Sequence, residues 1–236
     1  MNARVVKDML RPFLPAAVRQ RLAFSAQAKA IIEQHDAQTV ETVRALNRKY
    51  AAPLIGTVRV WDLLEMLAGC VDPTDPSLYG ASQLTHVLQV LEAMEDDRVT
   101  DRDMLCAALV HDLGKVLLLH GESPENVVCM NVPIGEYPAG IGLDNCVFQW
   151  NHDEFAYSRL KDHVPEHVAW LVRYHSIMLS KCKRLMNERD RDWTRRFLVP
   201  FQKYDLKSKS PYAVPRKSLA DYKELAEELF PQPILF

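Results

Sequence analysis

Four histidines and two aspartates, His86, His111, Asp112, His152, His175 and Asp205, fall beside apolar stripes on predicted helices, a pattern that turns all six inward. Each imidazole offers one nitrogen, while a carboxylate has two oxygens and can bridge. Nitrogen and oxygen donors without thiolate suit iron or manganese. Six such ligands with one shared carboxylate serve two metals and leave positions for a substrate and dioxygen. The centre of the set is His111-Asp112, inside Ala108-Leu109-Val110-His111-Asp112-Leu113-Gly114-Lys115-Val116-Leu117. A His-Asp dipeptide is cheap alone, and this chain has three, at His35-Asp36, His111-Asp112 and His152-Asp153. His35 reads as a surface or core residue rather than a ligand.

Positioning these groups falls to helices. Few glycines, a strong 3.6-residue period and few alternating β-branched runs make the chain all-α, a single helical bundle over 1–236 with the site between core helices. Phe24 to Tyr50 reads as one long amphipathic helix, and Val60 to Leu67 as a short second one. Another begins at Ser82 and carries His86. Thr100 with Asp103 resembles a capping box opening a helix that runs through His111-Asp112, mid-helix and buried, to Leu119. Gly121 to Gly142 is the longest loop-like stretch, expected to serve as a lid. A helix near Asp144 or Gln149 carries His152 into Leu160, and Pro165 opens one bearing His175. Lys181 to Arg196 reads as a solvated face, and a last helix spans Leu219 to Leu229.

Composition narrows the function. The chain has 236 residues, 48% of them hydrophobic, enough for a sizeable core. A net charge of -2 and a pI near 6.4 argue against nucleic-acid binding by bulk electrostatics. Five widely spaced cysteines, Cys70, Cys106, Cys129, Cys146 and Cys182, contain no C-x-x-C pair and suit reduced thiols in a cytoplasmic setting. The stretch with Arg4, Lys7, Arg11 and Arg19 is broken by Pro12 and Pro15, so it reads as no signal peptide, and no run is long enough for a membrane span. The expected partner is a small molecule, neither nucleic acid nor membrane, with oligomeric state open.

Several longer strings resemble the myo-inositol oxygenase family of HD-domain enzymes. They are His35-Asp36-Ala37-Gln38-Thr39-Val40, Val71-Asp72 with Asp75-Pro76, the segment around His111-Asp112, Gly142-Leu143-Asp144-Asn145, Trp150-Asn151-His152-Asp153-Glu154, Arg173-Tyr174-His175-Ser176 and Lys203-Tyr204-Asp205-Leu206 with Ser208-Lys209. The resemblance implies an HD-domain bundle with a mixed-valent di-iron centre (Fe2+/Fe3+) and dioxygen as co-substrate. In it His86, His111, Asp112 and Asp205 hold one iron, and His152, His175 and the bridging Asp112 hold the other. It also implies that Lys115 faces the substrate, with Ser176, Lys209, Asp72 and Asp75 near the pocket, and that a ferric superoxide removes a C–H hydrogen from a substrate chelated through adjacent oxygens.

Lys115 has a second role open to it, neutralising a buried carboxylate, and Asp72-Pro73-Thr74-Asp75-Pro76 is also an ordinary turn. The chain departs from the family in three places. Met130 stands where the family has a pocket aspartate, and a thioether cannot accept a hydroxyl hydrogen bond as a carboxylate does. Pro133 to Gly142 is shorter than in the family, and no arginine stretch matches in Met1 to Ser25. A cyclitol, related diol, amino alcohol, hydroxy acid or phosphonate is therefore the expected substrate class. The competing class is an HD-type metal-dependent phosphohydrolase, which uses the same dyad to activate water. An inactive metal-binding module would show eroded ligands, and none of the six is missing.

Overall fold

The computed structural model describes residues 16–236, with side chains from residue 23 onward. The reading of residues 1–15 lies outside the described residues. The expected single helix over Phe24 to Tyr50 is two, α1 (Ala16–Asp36) and α2 (Val40–Lys49). Thr39 makes the break: its hydroxyl accepts the Thr42 amide, and the Thr42 hydroxyl accepts the Thr39 amide. Such a reciprocal cap is worth about 1 kcal/mol. Gln38, freed from helical duty, turns inward, accepts the Trp150 amide at 2.7 Å and donates to the Trp150 carbonyl at 3.0 Å. A periodicity count across residues 24–50 misses the corner because both helices present apolar residues to the same core.

The chain continues through β1 (Thr57–Val58), α3 (Val60–Met66), α4 (Gln83–Asp96), α5 (Arg102–Val110), α6 (His152–Leu160), α7 (Glu166–Tyr174), α8 (Leu179–Cys182), α9 (Glu188–Trp193), α10 (Val199–Lys207), α11 (Lys223–Leu229) and β2 (Ile234–Leu235). The described residues are thus all-α apart from one short antiparallel ribbon, in which Thr57 pairs with Leu235 and Val58 with Ile234. One buried apolar cluster reaches from Ile31 to Phe236. Within it α6 packs on α7, and α5 packs on α4 and α7. No described helix is long and apolar enough to cross a membrane.

Five local expectations change. Asp101, not Thr100, caps α5, accepting the Asp103 and Met104 amides. That helix stops at Val110, and the chain from Leu113 to His120 is 3-10, closed by Gly121 in the left-handed region (φ 80). His111-Asp112 therefore sits at a helix end rather than mid-helix. The stretch Gly121 to Gly142 is a wall rather than a free cover: Val127, Val128 and Cys129 are buried, and bridges join Asn131 to Ile177 and Pro133 to Phe148. Lys181 to Arg196 is not one solvated face, because Cys182, Leu185, Met186 and Asp190 are buried, with Asp190 accepting the Leu143 amide at 2.7 Å. The final expected helix divides into a 3-10 turn, Leu219–Tyr222, and α11.

Gly114 decides one approach that the site needs. A Cβ there would lie 2.1 Å from the His152 carbonyl oxygen, so only glycine lets the 3-10 segment meet the start of α6.

Candidate metal centre and substrate cavity

Five elements each deliver part of the donor set. His86 comes from the first turn of α4, His111 and Asp112 from the end of α5, His152 from the first residue of α6, His175 from the C-terminal cap of α7 and Asp205 from α10. All six are buried, the most accessible being Asp205 at 5%. His111 and His175 are held the same way. Each Nδ1 meets the carbonyl three residues back, Ala108 at 3.0 Å and Val172 at 2.9 Å. Carbonyls in the last turn of a helix lack helical partners, so a helix end can orient an imidazole where a helix middle cannot. The Nδ1 of His152 meets the Val127 carbonyl at 2.5 Å. A carbonyl only accepts, so a proton sits on Nδ1 in all three rings, and Nε2 is the atom each ring aims at the centre.

Asn151 sets the start of α6. It caps the helix by accepting the Asp153 amide and donates to the Cys129 carbonyl at 2.7 Å. With the His152 amide bound to the Val127 carbonyl at 3.1 Å, the ring has little freedom.

Asp112 lies between two groups of donors. Its Oδ2 is 3.4 Å from the His111 Nε2 and 3.8 Å from the His86 Nε2, while its Oδ1 is 3.1 Å from the His152 Nε2 and 3.7 Å from the His175 Nε2. Asp205 completes the first group, with Oδ1 2.9 Å from the His86 Nε2. The Nε2 atoms of His86 and His111 face one another at 3.4 Å. Sets drawn from these residues bring ligand atoms within 4.8 Å of each other: His86, His111 and Asp205; His111, Asp112 and His175; and His152, Asp153 and His175.

A bound metal fits this arrangement. The buried His152 Nε2 and Asp153 Oδ1 have no hydrogen-bond partner, although they lie 3.0 Å apart. Buried polar atoms rarely stay unpaired, and donor atoms converging without hydrogen-bond angles are what a shared cation requires. The electrostatics agree. Burial alone would raise the Asp112 carboxyl, but Lys115 and the neighbouring histidine rings hold it well below the usual carboxylate range. Asp205 is likewise held far down, against burial, by His86 and Lys209. Burial takes His86 down to about 4, whereas in His152 burial is outweighed by Asp153 and Asp112, which carry it up to about 9. Both carboxylates therefore stay ionised, the form in which a carboxylate ligates a metal ion.

The remaining candidate residues line one cavity of about 450 Å³ that opens from the donor set. Lys115 is buried and donates to Gln83 at 2.8 Å, with Asp112 at 3.2 Å and Asp72 at 3.5 Å. It therefore both neutralises a carboxylate and lines the cavity. Lys209 pairs with Asp75 at 2.9 Å and lies 3.7 Å from Asp205. The turn reading of Asp72 and Asp75 holds as well. Asp72 accepts from the Thr74 amide and hydroxyl, and Asp75 from the Ser77 amide, while both residues line the cavity. Ser176 donates to Asp153 at 2.5 Å, and Met130 lies at the mouth, 52% exposed.

Sequence reasoning does not find Asp153, Gln83 and His35 as neighbours of this site, although two of them carry a signal. Asp153 belongs to its own His-Asp dipeptide, and Gln83, three residues before His86, shares its helical face. His35, read from the sequence as surface or core, is buried, its Nδ1 bonded to the Glu125 carbonyl at 2.7 Å, yet it also lines the cavity with Asp36. Nothing local marks Ile32, Met178 or Leu206, which complete the apolar part of the wall.

Comparison with known proteins agrees with the resemblance. The sequence profile of the family described as Myo-inositol oxygenase matches residues 26–135 and 125–236. Inositol oxygenase 1 of Arabidopsis thaliana is 31% identical, over 85% of this chain and 76% of its own. Inositol oxygenase 2 of the same plant is 32% identical over 84% and 74%, and the inositol oxygenase of Bos taurus 27% identical over 75% and 74%. The profile covers nearly all of the described chain, donor set included, and on that ground the chain belongs to the myo-inositol oxygenase family.

Proposed function

We propose that this chain is a non-haem di-iron oxygenase that uses dioxygen to oxidise or cleave a small, oxygen-rich substrate at the inner end of the cavity. The observation that carries this reading is the division of Asp112, one oxygen toward His86 and His111 and the other toward His152 and His175. His86, His111, Asp205 and Asp112 would hold one iron, and His152, His175 and Asp112 would hold the second. The iron pair, when bound, supplies dioxygen activation and the redox equivalents for breaking a C–H bond.

The protein's own groups position the substrate. Asp112 and Asp72 outweigh burial and raise the Lys115 ammonium, which suits it to donate to a substrate oxygen. Asp72 and Asp75 accept from hydroxyls, Lys209 and Ser176 flank them, and the buried walls keep bulk water from the reacting carbon.

Iron-loaded protein should hold two irons per chain and consume dioxygen with a member of a panel of cyclitols, diols, amino alcohols, hydroxy acids and phosphonates, with a substrate-dependent change in the iron spectra. Phosphate release without dioxygen, supported by magnesium or manganese, would overturn the reading in favour of a phosphohydrolase.

A further inference from the structure

The mouth of the cavity differs in kind from its inner end. Among the described residues, four of the large hydrophobic side chains left exposed line this one cavity: Ile32 (43%), Met130 (52%), Met178 (37%) and Leu206 (58%). They come from α1, the Gly121 to Gly142 segment, the residue capping α8, and α10, so no single amphipathic helix explains the cluster. Val128, Val132 and Pro76 add to the apolar lining of the same cavity. Scattered exposed hydrophobics need no explanation, whereas a patch continuous with a polar, metal-fitting cavity marks a place where ligand is bound.

The inner end shows what the polar part of that ligand is. Lys209 is paired with Asp75 and Lys115 with Asp112 and Asp72, so neither lysine stands as an uncompensated cation for a phosphate or phosphonate. Paired lysines and aspartates offer donors and acceptors side by side, which suits neutral hydroxyls. The cavity volume of about 450 Å³ falls in the range of pockets that enclose drug-sized ligands, more than one small polyol ring needs. Methionine at two of the four rim positions supplies a surface that adapts to the shape of an apolar group.

We propose that the substrate is an amphiphilic vicinal diol: its adjacent oxygens lie at the His152 and His175 end, and an alkyl or aryl arm crosses Ile32, Met130, Met178 and Leu206. This rests on the oxygenase reading for the head group and adds the arm. It also gives the exposed Met130 side chain a physical sense, since a thioether that cannot serve a hydroxyl serves a methylene.

The test is anaerobic titration calorimetry of the full, iron-loaded chain with myo-inositol and with terminal vicinal diols lengthened one methylene at a time. Affinity should rise about two- to fourfold per methylene until the rim is covered, since a fully buried methylene contributes about 0.8 kcal/mol. Met130→Asp and, separately, Leu206→Ser should flatten that rise while leaving the iron content unchanged. Both side chains are exposed, so neither substitution endangers the fold. A flat series, or no diol binding at all, overturns the proposal. Because the titration excludes dioxygen, it reads binding separately from turnover. Diols that bind with the expected slope but never support dioxygen consumption would defeat the oxygenase reading alone, and turnover of myo-inositol with a flat diol series would defeat this inference alone.

Discussion

At the inner end of the cavity, His111, His152 and His175 are each locked by a backbone carbonyl, and Asp112 is shared among four rings. At the mouth, Ile32, Met130, Met178 and Leu206 are between 37% and 58% exposed. The contrast separates two kinds of constraint. Donors aimed at a common point must be correct in type, rotamer and depth together, and burial makes each error costly. Rim residues need only be apolar and near, so they can change without disturbing what lies beneath. One cavity thus joins a buried inner end of His and Asp side chains to an exposed apolar mouth.

The largest effect should follow from striking the shared carboxylate. Asp112→Ala removes the group common to both halves, and metal analysis should show both irons lost and dioxygen consumption at background. Retention of two irons per chain would mean that Asp112 is not the bridge.

Next comes the contact beneath the site. Gly114→Ala places a methyl 2.1 Å from the His152 carbonyl, so the 3-10 segment and the start of α6 must separate. Overpacking of this kind costs about 3 kcal/mol, read as a lower denaturation midpoint. Because the displaced residue is His152, iron content should fall toward one per chain.

A smaller effect is expected at a buried carboxylate away from the cavity, which shows how much of the acid response belongs to the scaffold. Glu122 accepts from Lys49, Tyr50, Asn126 and the Ser123 amide. Burial raises its carboxyl, but these bonds prevail and bring it from 4.5 down to about 2. A depressed carboxyl adds stability that is fully present above the unfolded value near pH 4.5 and is lost as pH falls toward about 2. Glu122→Gln should therefore lower stability by about 2 kcal/mol at neutral pH. Thermal melts of the two proteins should converge across that acid window and diverge above it.

The smallest effect belongs to the mouth. Leu206→Ser should change stability by less than about 0.5 kcal/mol and leave the iron spectra as they are. A large loss of stability or iron would show that the rim supports the donor set, and the contrast between the two ends would fail.

The helical class and the inward placement of the six His and Asp side chains are legible in the sequence because they rest on residue type and short-range spacing. His86 follows from the apolar stripe Leu84, Val87, Leu88 and Leu91, and Asp205 from its apolar and aromatic neighbours. The His-Asp dipeptide is cheap as a motif, yet all three copies reach the same cavity, either as lining or as donors behind it. Less legible are the places where one bond outweighs a period. The Thr39 cap splits a helix whose two parts share an apolar face, and Asp101 displaces Thr100 because its carboxylate reaches two amides.

Residue types and their spacing are thus enough to specify an all-α chain with inward nitrogen and oxygen donors, and its longer strings carry the resemblance to the myo-inositol oxygenase family. It takes the packed chain to put His111 and His175 at helix ends, to divide the oxygens of Asp112 between two histidine pairs, and to bring Ile32, Met130, Met178 and Leu206 to one mouth. The reason is range. Periodicity and capping act over a few residues, whereas His86 reaches Asp205 across 119 positions and Lys209 reaches Asp75 across 134. Only the packing of the helices closes distances of that length.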